Sequence, residues 1–181
     1  MYNITVTNKE VIMASLIQFI MSNFTLTFFV LSIFSASISL IIKNHTLTKA
    51  LAIQTIFSHF LLFNIGFCLF YNFIMHVFFG DMAAQFIGWA QSPFQLEVGF
   101  ASLGLSVVGI LAFWQGIGFR AAAVIAPAFF LLGAAGGHIY QMITSHNFAP
   151  GNAGIIFWSD IIIPALSFYL LYLQYKNPIK K

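Results

Sequence analysis

Four side chains could do chemistry in a chain otherwise made of Phe, Ile, Leu and Ala: His76, Glu97, His138 and Asp160. Imidazole and carboxylate together suit a divalent metal ion such as zinc, iron or manganese. Around them lie amides that could hold a small polar ligand, namely Gln91, Gln95, Gln141 and Asn152. His138, Gln141 and Ser145 follow at i, i+3 and i+7, and Asn72 and His76 lie one helical turn apart, so each set shares a helix face. Pro164 cannot donate to the carbonyl of Asp160 four residues earlier, and a free carbonyl beside a carboxylate is a candidate cation or proton site. No His-x-x-x-His motif is present, so the pattern names a class of ligand without specifying one.

Each of these residues also has a plainer explanation. Glu97 stands four residues after Pro93 and could be a helix-start acid favoured by the dipole. His138 could make a structural hydrogen bond between helices. His76 could be an interfacial histidine, and a proline kink alone accounts for Pro164. His59, with Ser58 and Asn64 nearby and no acid, reads as a packing hydrogen bond.

The elements that carry these residues are membrane spans. Of 181 residues, 60% are hydrophobic, 23 are Phe and only 6% are charged. Soluble domains carry roughly a quarter charged residues, so a soluble fold is excluded and lipid is the expected partner. The net charge of +3 comes from Lys and Arg at turns and ends. That distribution suits orientation and headgroup contact and leaves no nucleic-acid patch. Cys68 is alone, which excludes a disulfide or a Cys-based metal motif. No cleavable signal peptide is expected, because no small-residue cleavage site follows a short apolar run.

A span needs roughly 20 helical residues. Cutting at charges, prolines and Gly/Asn clusters predicts an all-α bundle of five transmembrane helices over residues 24–42, 50–79, 94–114, 121–145 and 154–175. Short interfacial segments are expected at 10–22 and 82–92, and Met1 to Asn8 reads as a polar tail. The uncharged run Val11–Ile42 is either one tilted helix or an interfacial piece followed by a span. In a five-span topology Lys43, Lys49, Arg120, Lys176, Lys180 and Lys181 fall on one side. The positive-inside rule then puts the N-terminus outside and the C-terminus in the cytoplasm. On the outer side Asn72, His76, Gln91, Gln95, Glu97, His138, Gln141, Asn152, Ser159 and Asp160 converge. Gly99, Ser102, Ser106 and Gly109 line one face of the third span, and Gly133 and Gly137 form a small pair in the fourth. Such faces allow close helix approach, which suggests that the third and fourth spans pack tightly and bring Glu97 near His138.

The stretches Gln91-Ser92-Pro93-Phe94-Gln95-Leu96-Glu97-Val98-Gly99, Gly133 to His138, and Asn147-Phe148-Ala149-Pro150-Gly151-Asn152-Ala153-Gly154 carry a resemblance. With them the chain resembles a family of small bacterial inner-membrane proteins catalogued as a domain of unknown function, over about residues 80–170. The Pro-Phe-Gln-x-Glu-x-Gly pattern is also similar to one helix of DoxX-like membrane proteins. The resemblance implies topology and an inner-membrane location, and no reaction.

Three functions compete on this reading. The first is a periplasmic-side site for a metal ion or small polar ligand. The second is a structural or accessory subunit in which the polar cluster locks helices, alone as a homo-oligomer or beside a partner subunit. The third is a small oligomeric transporter, disfavoured by inner halves that lack polar residues. An enzyme acting on a quinone or lipid finds no Cys pair or histidine box to support it.

Overall fold

A computed structural model describes residues 8–179. Of the polar tail expected over Met1 to Asn8, only Asn8 is described, as the first residue of a helix; the rest of it, with Lys180 and Lys181, lies outside the described residues. The described chain is an all-α bundle in which five helices are long and apolar enough to cross a membrane.

The uncharged N-terminal run is two helices, α1 (Asn8–Ser22) and α2 (Phe24–Ile42). Side chains at the break compete for backbone groups, as Asn, Ser and Thr do. The Asn23 amide donates to Phe19 O at 2.9 Å, and the Thr27 hydroxyl lies within reach of Ile20 O and Asn23 O. Helix α3 (Lys49–Phe78) starts at Thr48, whose hydroxyl accepts from Leu51 N at 3.2 Å. Its middle, Leu61–Phe67, widens into π-helical turns. Helix α4 (Gly80–Ile87) is short and ends at Gly88, whose φ of 75° is the left-handed cap that glycine tolerates without strain.

The remaining helices are α5 (Phe94–Ala112), α6 (Ile117–Ser145), the single turn α7 (Pro150–Ala153) and α8 (Ile155–Lys176). The small face expected on α5 is buried: Gly99, Ser102, Ser106 and Gly109 all point inward. It meets α3, however, and α5 packs far less on α6. A Cβ on Gly109 would sit 2.5 Å from Gly66 N, and one on Gly99 would collide with a Val77 methyl. Close approach at these two points therefore fixes the α3–α5 pair. The glycines of α6 do not serve helix pairing in the same way. Gly137 faces the Trp89 ring, and a Cβ on Gly133 would meet no atom within 4 Å. Helix α6 packs chiefly on α8.

A dry core built from Phe57, Leu61, Ile65, Ala112, Val124 and Ile163 joins α3, α5, α6 and α8. It lies toward the end that carries Lys43, Lys49 and Lys176. Arg120 closes that end from within. The sequence suggests a turn charge facing headgroups, yet Arg120 is 1% exposed. Its Nε donates to Ala112 O at 3.0 Å, and its two terminal nitrogens donate to Phe113 O at 2.9 Å, Gln174 Oε1 at 3.0 Å, Gln54 O and the Ser58 hydroxyl. All five guanidinium donors are thereby used. Two of the acceptors are carbonyls where α5 ends, Phe113 O and Ala112 O, which also accepts from Gln115 N at 3.3 Å, and a cation is favoured at a helix C-terminus. The planar fork of arginine reaches several acceptors at once, which a lysine cannot do. Arg120 is the chain's single arginine, and the polar Gln54, Ser58 and Gln174 at the same level are its sequence trace.

Replacing Arg120 with Met leaves Phe113 O and Gln174 Oε1 without a donor among the described residues and takes one donor each from Ala112 O, Gln54 O and the Ser58 hydroxyl, and the expected loss of stability is on the order of 3 kcal/mol. Arg120→Lys should recover little of it. Thermal unfolding in detergent micelles reads both, and an unchanged midpoint for Arg120→Met would contradict this role.

Candidate functional site

At the other end of the bundle the polar groups gather around Asn152, which is fully buried. Helix α6 stops at His146, held at φ 50°. The loop then turns through Asn147, whose side-chain oxygen accepts from Ala149 N at 3.0 Å while its amide donates to Ile87 O and Gly88 O. This anchors the end of α4. One turn later α7 presents Asn152 inward, with Gly151 pressed against Phe86 so closely that a Cβ would lie 2.7 Å from the ring.

The chemistry of this hub can be read from its donors. The indole Nε1 of Trp89 can only donate, so the group 2.8 Å away must be the Asn152 oxygen. The same oxygen lies 2.8 Å from His138 Nδ1, which therefore carries a proton. The Asn152 amide donates to His138 O at 3.2 Å and to Asn147 O at 2.8 Å. The Trp89 ring also packs on His138, with centroids 5.4 Å apart. With Nδ1 fixed, the other nitrogen of His138 faces Asp160 Oδ2 at 3.6 Å. That gap exceeds a normal hydrogen bond. Asp160 is 5% exposed and makes no hydrogen bond to any described residue.

Asp160 and His138 lie in the wall of a cavity of about 860 Å³, within the usual range for ligand pockets. Helix α4 lies against it with Ala83 and Phe86, α3 contributes Leu69, Asn72 and His76, and Phe130 and Leu131 line it from α6. Near its rim His76 Nδ1 donates to Gln95 Oε1, and the Gln95 amide donates to Gly80 O at 3.0 Å. Asn72 donates to the Ser102 hydroxyl at 2.9 Å. The Thr25 hydroxyl, also in the wall, is buried with no partner among the described residues.

The structure therefore brings together His138, Asn152 and Asp160 at one pole of the cavity, and His76 with Gln95 at another. It separates the rest. Gln91 donates to Asp81 Oδ1 at 2.9 Å and braces the loop between α4 and α5. Gln141 offers only its carbonyl, to Asn147 N at 3.3 Å. Glu97 lies in the first turn of α5, exposed and outside the cavity wall, without a hydrogen bond or ion pair to any described residue. Its expected closeness to His138 fails because the small face beside it packs on α3. Among the described residues no cluster of three or more His, Cys, Asp or Glu could hold a metal ion. Trp89 and Asn147 are the residues that sequence reasoning missed. A tryptophan in an interfacial helix reads as a headgroup anchor, and nothing in the spacing shows its N–H turned inward.

Five apolar spans around a largely apolar cavity define a small polytopic membrane bundle. The pattern of DUF6790, a family of unknown function, matches residues 22–180, and the chain belongs to that family. The match extends over α2 and α3, beyond the segment 80–170 that carries the resemblance in sequence. The likeness to DoxX-like proteins finds no support. No curated protein and no solved structure matches the chain.

Asn152→Ala would leave Trp89 Nε1, His138 Nδ1 and Asn147 O without the partner that Asn152 supplies, for an expected loss of about 2–4 kcal/mol. Asn152→Asp keeps the acceptor but loses both donors and sets an acid against the His138 and Asn147 carbonyls in a buried site, so it should lose at least as much. Thermal unfolding followed by tryptophan fluorescence gives the order, and equal midpoints for all three proteins would refute the hub.

Proposed function

We propose that the protein binds a small molecule in the cavity beside His138 and Asp160, in the outer half of a bacterial inner-membrane bundle. The observation that carries this reading is Asp160. Its carboxyl group is buried, makes no hydrogen bond to a described residue and lines a cavity. Buried polar groups without partners are costly and rare, and in membranes ionisable ones mark function by default. A guest that supplies the missing hydrogen bond accounts for all three features at once.

The choice of side follows from charge. Lys43, Lys49 and Lys176 lie at the end opposite the cavity, which the positive-inside rule assigns to the cytoplasm. The inner membrane rests on the resemblance in sequence. A metal ion is the weaker form of the proposal, since His138 and Asp160 supply two ligands and no third group joins them. A transporter is weaker still, because the dry core around Phe57 and Leu61 fills the inner half.

One observation favours an accessory subunit instead. The Asn152 hub is fully satisfied within the chain, as a helix lock would be. The two readings part on what the purified protein carries. Gly133 lines the cavity and has open space where a side chain would start, so Gly133→Phe should obstruct the cavity without disturbing the fold. Mass spectrometry of small molecules extracted from the native protein should show an enriched species that Gly133→Phe loses severalfold at unchanged melting temperature. Identical extracts would leave the accessory reading.

A further inference from the structure

Resting on the reading of the cavity as a ligand site, we infer that the guest is a membrane amphiphile with an uncharged, hydroxyl-bearing head seated between His138 and Asp160.

The walls exclude an anionic head. Among the described residues lining the cavity there is no Lys or Arg. The buried guanidinium of Arg120 belongs to the far end and has all its donors engaged. A phosphate or carboxylate would therefore enter an apolar chamber with no cation to meet it except the rings of His138 and, at the rim, His76, whose Nδ1 is engaged by Gln95, and at the His138 pole it would lie beside a second acid, Asp160. An unpaired charge in such a place is strongly penalised.

The proton count disfavours a cationic head. Asn152 fixes one proton on His138 Nδ1. Attraction between Nε2 and Asp160 needs one more, held either as the acid O–H or as the second imidazole N–H. Both arrangements leave the pair with no net charge. An ammonium head would leave the buried site with a surplus of positive charge unless that proton departed.

A hydroxyl fits both arrangements. It can donate to one partner while it accepts from the other, touching both from the cavity side across a 3.6 Å separation that is too long for a direct bond. Whichever atom holds the proton, the hydroxyl turns to match. An apolar chain suits the remaining wall of Leu69, Phe130 and Leu131. Among the lining residues that are also exposed are three large apolar ones, Met21 at 48%, Met82 at 58% and Phe94 at 68%. They mark where the cavity meets the surrounding membrane, between the end of α1, α4 and the start of α5. A guest entering there comes from the lipid.

The test is photolabelling of the full-length protein in phosphatidylcholine nanodiscs with three chain-matched diazirine probes: dodecanol, dodecanoate and dodecylamine. Adducts are mapped to peptides by mass spectrometry, in the native protein and in Gly133→Phe. Dodecanol should label the cavity walls, including the peptide with Phe130 and Leu131, and lose that labelling in Gly133→Phe. The two charged probes should label the same peptides about tenfold less, reflecting the penalty on a buried, unpaired charge. Cavity labelling by a charged probe that equals or exceeds dodecanol overturns the head assignment and leaves the cavity a ligand site. If no probe gives labelling that Gly133→Phe removes, both the head assignment and the ligand-site reading fall.

Discussion

Inside a bilayer no water is available to rescue a polar group, so each must find its partner within the protein. In this chain the constraint is met by two side chains of high hydrogen-bonding capacity, one near each end of the bundle. Arg120 spends five donors on α3, α8 and the end of α5. Asn152 spends its amide on a histidine, an indole and two carbonyls. Arg120 fastens α6 to α3, α5 and α8, and Asn152 fastens it to α7 and the loop after α4. The apolar surface between them needs only to fill space, which lipid-facing helices do through close packing and not through a hydrophobic drive.

Against that background the unmet groups stand out by position. Asn64 and Ser106 each bury one unpartnered polar atom and belong to α3 and α5, the two helices that small residues draw together. Thr25 and Asp160 line the cavity. The first pair belongs to tight backbone approach, where Gly66 meets Gly109 and α3 widens into π-helical turns. The second pair faces the cavity, with Asp160 held 3.6 Å from His138 Nε2. On the proposed reading, a guest with hydrogen-bonding capacity would complete that pair.

Much of the architecture was legible in the sequence because lipid imposes a length and a composition on every span. The polar breaks at Asn23, Gly80 and Pro150 were visible as departures from that composition. So was the inward face of α5, whose small residues recur at helical spacing. Its partner was not legible, because small faces show that a backbone approaches without showing which one. Of the residues proposed for the site, His138, Asn152 and Asp160 share one pole because α7 folds back under α6, while Glu97 turned outward once α5 paired with α3. Arg120 was misplaced for a general reason. A charge at a turn reads as solvated, and only the acceptors on three distant segments make its burial affordable.

A density map of the protein in lipid nanodiscs tests the central claim most directly. The account predicts an elongated non-protein density in the cavity, with one end between His138 and Asp160 and the other toward Met82 and Phe94. A collapsed cavity, with Asp160 bonded directly to His138 and no density beside Phe130, would contradict it.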